Sequence, residues 1–246
     1  MSSSALSFRG AEHGYPIRFG FARSSVLRGV DLDVARGATL GLAGPNGSGK
    51  STLLRLAAGI DAPTRGSVTV LGGSAGDPAI RERVGYLPEE AAFPRELTCR
   101  GALRLFGALA GMPRRDAHRR SDELLAIVGL AGDATRTLSR CSRGMLRRFG
   151  LAQAWLSAPD LILLDEPTAG LDALGFDVLT ELLNEARARH AAVVLASHVL
   201  SDLSERCDDV AILCEGRIVQ HGTPSAVLAG TTLMEIYRRH AGARRS

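Results

Sequence analysis

Apolar and polar positions alternate along this chain in two distinct rhythms. "ATLGLAG" (38–44) is a short apolar run ending on glycine, and after a loop "STLLRLAAG" carries leucines at helical spacing before Gly59 closes it. "LILLD" (161–165) and "AVVLAS" (192–197) are continuous apolar runs of strand length, the pattern of parallel strands covered on both faces. Between them "FDVLTELLNEARARH" has helical spacing, so strand and helix alternate and an α/β fold is predicted. From about Phe93 to Gly150 no strand pattern occurs, and "LTCRGALRLFGALAG" and "AHRRSDELLAIVGL" predict helices. Short β signals lie at 66–73 ("GSVTVLGG") and 209–222 ("DVAILCEGRIVQHG"), the latter turning at Glu215-Gly216.

The expected organisation is one domain over 1–246. Residues 1–92 and 151–225 form an α/β core with an antiparallel β subdomain, 93–150 an inserted helical subdomain, and 226–246 a C-terminal helix and basic tail.

Composition narrows the class without deciding it. The 246 residues are 45% hydrophobic and 23% charged, ordinary for a folded globular chain. No stretch approaches eighteen apolar residues and "MSSSALSFRGAEHG" has no signal-peptide core, so a chain that does not itself cross a membrane and stays in the cytoplasm is expected. Cys99, Cys141, Cys207 and Cys214 lack metal-ligand spacing and read as small apolar fillers. The net charge of +4 comes from arginine clusters at 114–120 and 238–246. Such clusters are solvated faces or meet an anionic partner, and charge alone does not choose.

One loop carries chemistry. In "GPNGSGKST" (44–52) Gly44 is followed after four residues by Gly49, Lys50 and Ser51, after a strand and before a helix, which is the phosphate-loop pattern in its proper context. Gly44, Gly47 and Gly49 let the N–H groups of Asn46, Ser48 and their neighbours turn toward phosphate oxygens, aided by the helix N-terminus at Thr52. Lys50 is the only lysine among thirty basic residues. A compact ammonium passes over the loop to the β- and γ-phosphates where a planar guanidinium would displace it. Ser51 is placed to ligate Mg2+.

"LILLDEPTAGLD" (161–172) sets Asp165 and Glu166 at the C-terminal end of a buried strand, the edge where open α/β sheets bind ligands. Asp165 suits the metal's water shell and Glu166 suits accepting a proton from an attacking water. Two adjacent carboxylates after an apolar run are costly unless a metal or a reaction compensates.

These motifs together closely resemble the ATP-binding subunits of ABC transporters, over nearly the whole chain. The resemblance implies a P-loop NTPase core of RecA-like type, with "GPNGSGKST" as Walker A, "LILLDEP" as Walker B, "AGLD" as the D-loop carrying Asp172, and "LASH" as the switch bearing His198 beside the γ-phosphate. The signature departs from the family: LSGGQ appears as "CSRGM" (141–145), keeping Ser142 and Gly144. Both "SRGM" and "GYLPEE" resemble bacterial ABC-2-type exporter ATPases, with Glu89 at the Q-loop position as a metal or water contact. The resemblance implies an adenine-stacking aromatic at Phe19 or Phe21, Phe19 being favoured, with plain core packing as the other reading of these rings.

The resemblance implies ATP and Mg2+ as ligands and a head-to-tail dimer, homodimeric as intact motifs permit. Each ATP then lies between the Lys50 loop of one subunit and Ser142 of the other, and hydrolysis drives a separate membrane permease at the cytoplasmic face. No nucleic-acid partner is expected. The cargo, whether drug, lipid, polysaccharide or copper-related, is not written in this chain. A soluble ABC ATPase of a cytosolic assembly system, such as iron–sulfur cluster biogenesis, is the alternative.

Overall fold

The computed structural model describes residues 4–16, 23–227, 235, 236 and 238. Two sheets organise it. The smaller is antiparallel and runs β2-β1-β4-β5, from β1 (Ser4–Pro16), β2 (Arg23–Ala35), β4 (Arg65–Val70) and β5 (Gly73–Ser74). The larger runs β10-β9-β3-β8-β7-β6, from β3 (Thr39–Ala43), β6 (Val84–Leu87), β7 (Leu161–Asp165), β8 (Ala192–Ser197), β9 (Asp209–Cys214) and β10 (Arg217–Gly222). Its five strands from β9 to β6 pair parallel, and β10 returns antiparallel.

The continuous apolar runs follow from this arrangement. Every residue of β3, β7 and β8 is buried, and successive side chains go to opposite faces. Leu161 and Leu163 enter a core shared with the antiparallel sheet and α1 (Lys50–Ala57), whereas Ile162 and Leu164 enter another core beneath the helices. Strand boundaries at 161–165 and 192–197 match the sequence expectation.

Between β6 and β7 lie α3 (Cys99–Leu109), α4 (Arg114–Ile127) and α5 (Arg143–Ala154). The only β feature described there is an isolated bridge, Thr98 to Thr137. Side-chain caps start two of these helices: Thr98 accepts from Gly101 N, and Ser142 accepts from Met145 N at 3.2 Å. Before them, α2 (Pro78–Arg81) is a single turn capped by Asp77. The chain then runs through α6 (Ala173–Ala188), α7 (Leu200–Ser204) and α8 (Pro224–Val227), beyond which most of the expected C-terminal helix and tail lies outside the described residues.

Three strands go beyond the sequence expectation: the thirteen-residue β1 and β2 and the short β6. β1 breaks its alternation at register shifts around Gly10, where Phe8 and Ala11 bracket a bulge against β2. The expected turn at Glu215-Gly216 is present with both residues at positive φ. A Cβ on Gly216 would lie 2.0 Å from Val26 O, and the Gly216 N–H donates to Ser48 O, so this hairpin packs directly on the glycine loop. Cys99, Cys207 and Cys214 are buried and Cys141 half-buried; all four thiols are free, with the Cys99 and Cys141 sulfurs 3.7 Å apart.

Candidate active site

Four adjacent strands deliver the site. In the order β3-β8-β7-β6 each runs parallel to the next, so their C-terminal ends share one edge. After β3 comes the glycine loop, after β8 His198, at the end of β7 Asp165 and Glu166, and two residues past β6 Glu89. Residues scattered over some 150 positions meet because the sheet collects strand ends.

The loop needs its glycines where backbone crowds. A Cβ on Gly44 would stand 2.5 Å from Ser48 Oγ and 2.6 Å from Leu213 O. Gly49 caps α1 at φ 109, a conformation closed to other residues, and its Cβ would meet Leu27 at 2.8 Å. Lys50 is buried: its Nζ donates to Gly44 O at 2.8 Å and Pro45 O at 3.4 Å, and lies 3.5 Å from Glu166 Oε1. No acidic residue occupies the first turn of α1, so the N–H end faces the cleft without an internal anion.

Glu166 is held on both oxygens, Oε1 toward Lys50 and Oε2 at 2.9 Å from His198 Nδ1. Its backbone has φ 48, unusual for a side chain larger than glycine, and its N–H donates to Ala196 O. Asp165 is 1% exposed, and its Oδ1 has no hydrogen-bond partner among the described residues. Burial pushes its carboxyl above the usual carboxylate range; the Ser51 hydroxyl opposes this, and the charges of Glu89 and Glu166 add to it. Such an orphaned buried oxygen, beside a serine hydroxyl and another carboxylate, fits a hard divalent cation with oxygen ligands.

An open cleft of about 480 Å³ collects Asn46, Gly47, Gly49, Lys50, Ser51 and Thr52 with Glu89, Asp165 and Glu166. Ser142 and Gly144 do not line it. They stand at the start of α5 near Asp172, which caps α6: a Cβ on Gly144 would lie 3.6 Å from Gly170 O and 3.9 Å from Asp172 Oδ2. Phe19 and Phe21 lie outside the described residues.

Residues 27–169 match the family described as ABC transporter. This chain belongs to the ABC transporter family. It is 42% identical over 204 residues to an ABC transporter ATP-binding protein of Nostoc sp., covering 82% of this chain and 61% of that one. It is 34% identical to the daunorubicin resistance ATP-binding protein of Streptomyces coeruleorubidus, covering 98% of this chain and 76% of the relative. A solved ATP-binding subunit of an ABC transporter superposes with a TM-score of 0.82 at 30% identity, covering 99% of this chain and 95% of the other. This ABC transporter chain thus spans about three fifths of the length of two curated relatives, at 61% and 60%.

Two further residues of this ABC transporter chain join the site without a sequence expectation. Tyr15, at the end of β1, places its hydroxyl 3.5 Å from Thr52 Oγ1 and 3.1 Å from Asp61 Oδ2. An aromatic ahead of the glycine loop was a usable signal for it. Arg147, in α5, is 9% exposed and reaches back to the ends of β6 and β7. In sequence Arg147 resembles any surface arginine.

Proposed function

We propose that this chain binds and hydrolyses ATP as the motor subunit of a separate membrane permease, of the ABC-2 exporter type. The observation that carries the reading is the seat of Glu166, buried between Lys50 and His198 on the same sheet edge as the glycine loop. A general base must lie within reach of the proton it takes and be oriented by a third group. Glu166 lines the same cleft as the glycine loop, and His198 is its orienting group, which supports this reading.

In this mechanism the loop N–H groups and Lys50 hold the phosphates, Glu166 takes a proton from the attacking water, and His198 contacts the γ-phosphate and steadies that water. Ser51 and Asp165, with Glu89 nearby, would hold Mg2+, which when bound neutralises charge on the phosphate oxygens. The exposed Ser142 and half-buried Gly144, away from the cleft of their own chain, suit a head-to-tail dimer in which they contact the γ-phosphate bound to the other subunit. We assign residues 93–150 as the helical subdomain, with the cleft around Glu89 and Phe93 receiving the permease. Among the described residues no helix is long and apolar enough to cross a membrane. In this proposal the permease is a separate chain, to which the subunit docks from the cytoplasmic face. The drug-resistance relative supports the exporter reading.

The test is the Glu166→Gln protein with ATP and Mg2+. It is expected to bind ATP, dimerise on size exclusion and barely hydrolyse; hydrolysis at the wild-type rate would remove Glu166 from its role. Purification of the same variant from membranes should bring down a multi-span protein in stoichiometric amount. A soluble dimer without one would favour a cytosolic assembly ATPase.

A further inference from the structure

The guanidinium of Arg147 has five N–H donors, and five backbone carbonyls receive them. Nε donates to Pro167 O at 3.3 Å. Nη1 donates to Pro88 O and Glu89 O, each at 3.0 Å. Nη2 donates to Asp165 O at 2.5 Å and to Glu166 O. Every donor is matched, and no side-chain acceptor is involved. The carbonyls belong to two segments, the turn after β6 that carries Glu89, and the end of β7 at Asp165 with the turn that follows at Glu166 and Pro167. The arginine itself stands on α5, the helix that Ser142 caps.

Glu166 needs such a fastening. Its φ of 48 is a conformation most residues avoid, and such conformations persist only where surroundings over-determine them. The N–H side of Glu166 is tied to Ala196 O; Arg147 ties the carbonyl side. With the peptide units on both sides of its Cα pinned, the carboxylate has little freedom to leave Lys50 and His198. Burial pulls the Arg147 guanidinium below its ordinary range, and the negative charges of Asp165, Glu89 and Glu166 oppose that only in part.

We infer that Arg147 is a positioning residue for hydrolysis, a five-point clamp that sets the turn of Glu166 and the turn of Glu89 from the signature helix. The inference rests on Glu166 being the base. Lysine cannot replace it, because an ammonium presents three donors from one point and cannot span two turns.

The experiment compares Arg147→Met and Arg147→Lys with wild type, alone and in the Glu166→Gln background, reading kcat per nucleotide-binding site and ATP affinity in EDTA. Arg147→Met is expected to lower kcat about 100-fold, the loss typical of a misplaced reacting group, with ATP affinity within about twofold. Arg147→Lys keeps a buried cation and should still lose about tenfold, which carries the test if methionine prevents folding. In the Glu166→Gln background either change should add less than about threefold, because the group being positioned is already gone. Wild-type kcat, a loss matched by loss of binding sites, or a full further drop in the Glu166→Gln background would each overturn the role of Arg147. Wild-type hydrolysis by Glu166→Gln alone would overturn the base, and the clamp with it.

Discussion

Replacing Asp165 by asparagine should make the protein more stable and nearly inactive at once. The carboxylate is almost fully buried with Oδ1 unpartnered, and Glu89 and Glu166 add like charge. A buried group without its partner costs about 1–3 kcal/mol, and the Ser51 hydroxyl and Lys50 offset part of that, so the lower end applies. For a chain of this size about 1 kcal/mol corresponds to about 2–4 °C in Tm. Asparagine occupies the same space without the charge. In EDTA and without nucleotide the variant should therefore melt about 2–4 °C higher at neutral pH.

The sign with pH follows from the direction of the shift. A carboxyl whose folded pKa is raised contributes stability below the unfolded value and loses it as pH rises through the folded one. Asparagine does not titrate, so the Tm gap should be near zero in acid and open above the usual carboxylate range. The assay is thermal unfolding across pH beside Mg2+-dependent ATP turnover, which should fall about 100-fold or more. A variant that melts lower at neutral pH, or a gap indifferent to pH, would refute the burial argument. Retained Mg2+-dependent turnover would refute the metal role.

Lys50→Arg brings five N–H donors where Gly44 O, Pro45 O and Glu166 Oε1 now surround Nζ, leaving unpaired donors at about 1–3 kcal/mol each, so ATP affinity measured by titration should fall at least about tenfold. Normal affinity would refute the need for lysine. Gly44→Ala drives its Cβ into Ser48 Oγ and the backbone of Leu213, and should weaken ATP binding about tenfold, with no rescue by Ser48→Ala because the Leu213 carbonyl stays in place. Ser142→Ala removes the cap on α5 and should cost about 1 kcal/mol, read as a Tm loss of about 2–4 °C without nucleotide.

How much of this was legible depended on whether a residue announces itself through its own type. The runs at 161–165 and 192–197 are apolar throughout because each strand feeds two cores, and their ends could be read to the residue. The alternation Val30, Asp31, Leu32, Asp33, Val34 in β2 is an equally clear signal, buried and exposed in turn, though less conspicuous than the loop that follows. β1 offers less, since its bulge shifts the period midway. At the site, Lys50, Ser51, Asp165, Glu166 and His198 are unusual residues in unusual places. Arg147 is one of many arginines, and its partners are carbonyls, which every residue has.

That invisibility bears on how the parts work together. Arg147 and Arg148 are adjacent in α5, both buried, and a helix turns about 100° per residue, so they leave it in different directions. Arg147 grips the turns after β6 and β7, while Arg148 donates to Val128 O at 2.6 Å and Gly129 O at 3.3 Å, carbonyls at the C-terminal end of α4. One helix is thus fastened on one side to the sheet edge that holds Glu166 and on the other to the helices between β6 and β7. The end of α4 and the turn of Glu166 are therefore joined through two consecutive side chains whose bonds all end on backbone. Because the acceptors are backbone carbonyls, a displacement of α5 larger than the Arg147 stem can absorb should either carry Glu166 with it or break the Arg147 bonds. Glu166 is held at φ 48, so under the proposed mechanism small shifts of this helix should register in the rate of hydrolysis before they register in ATP binding at the loop that carries Lys50.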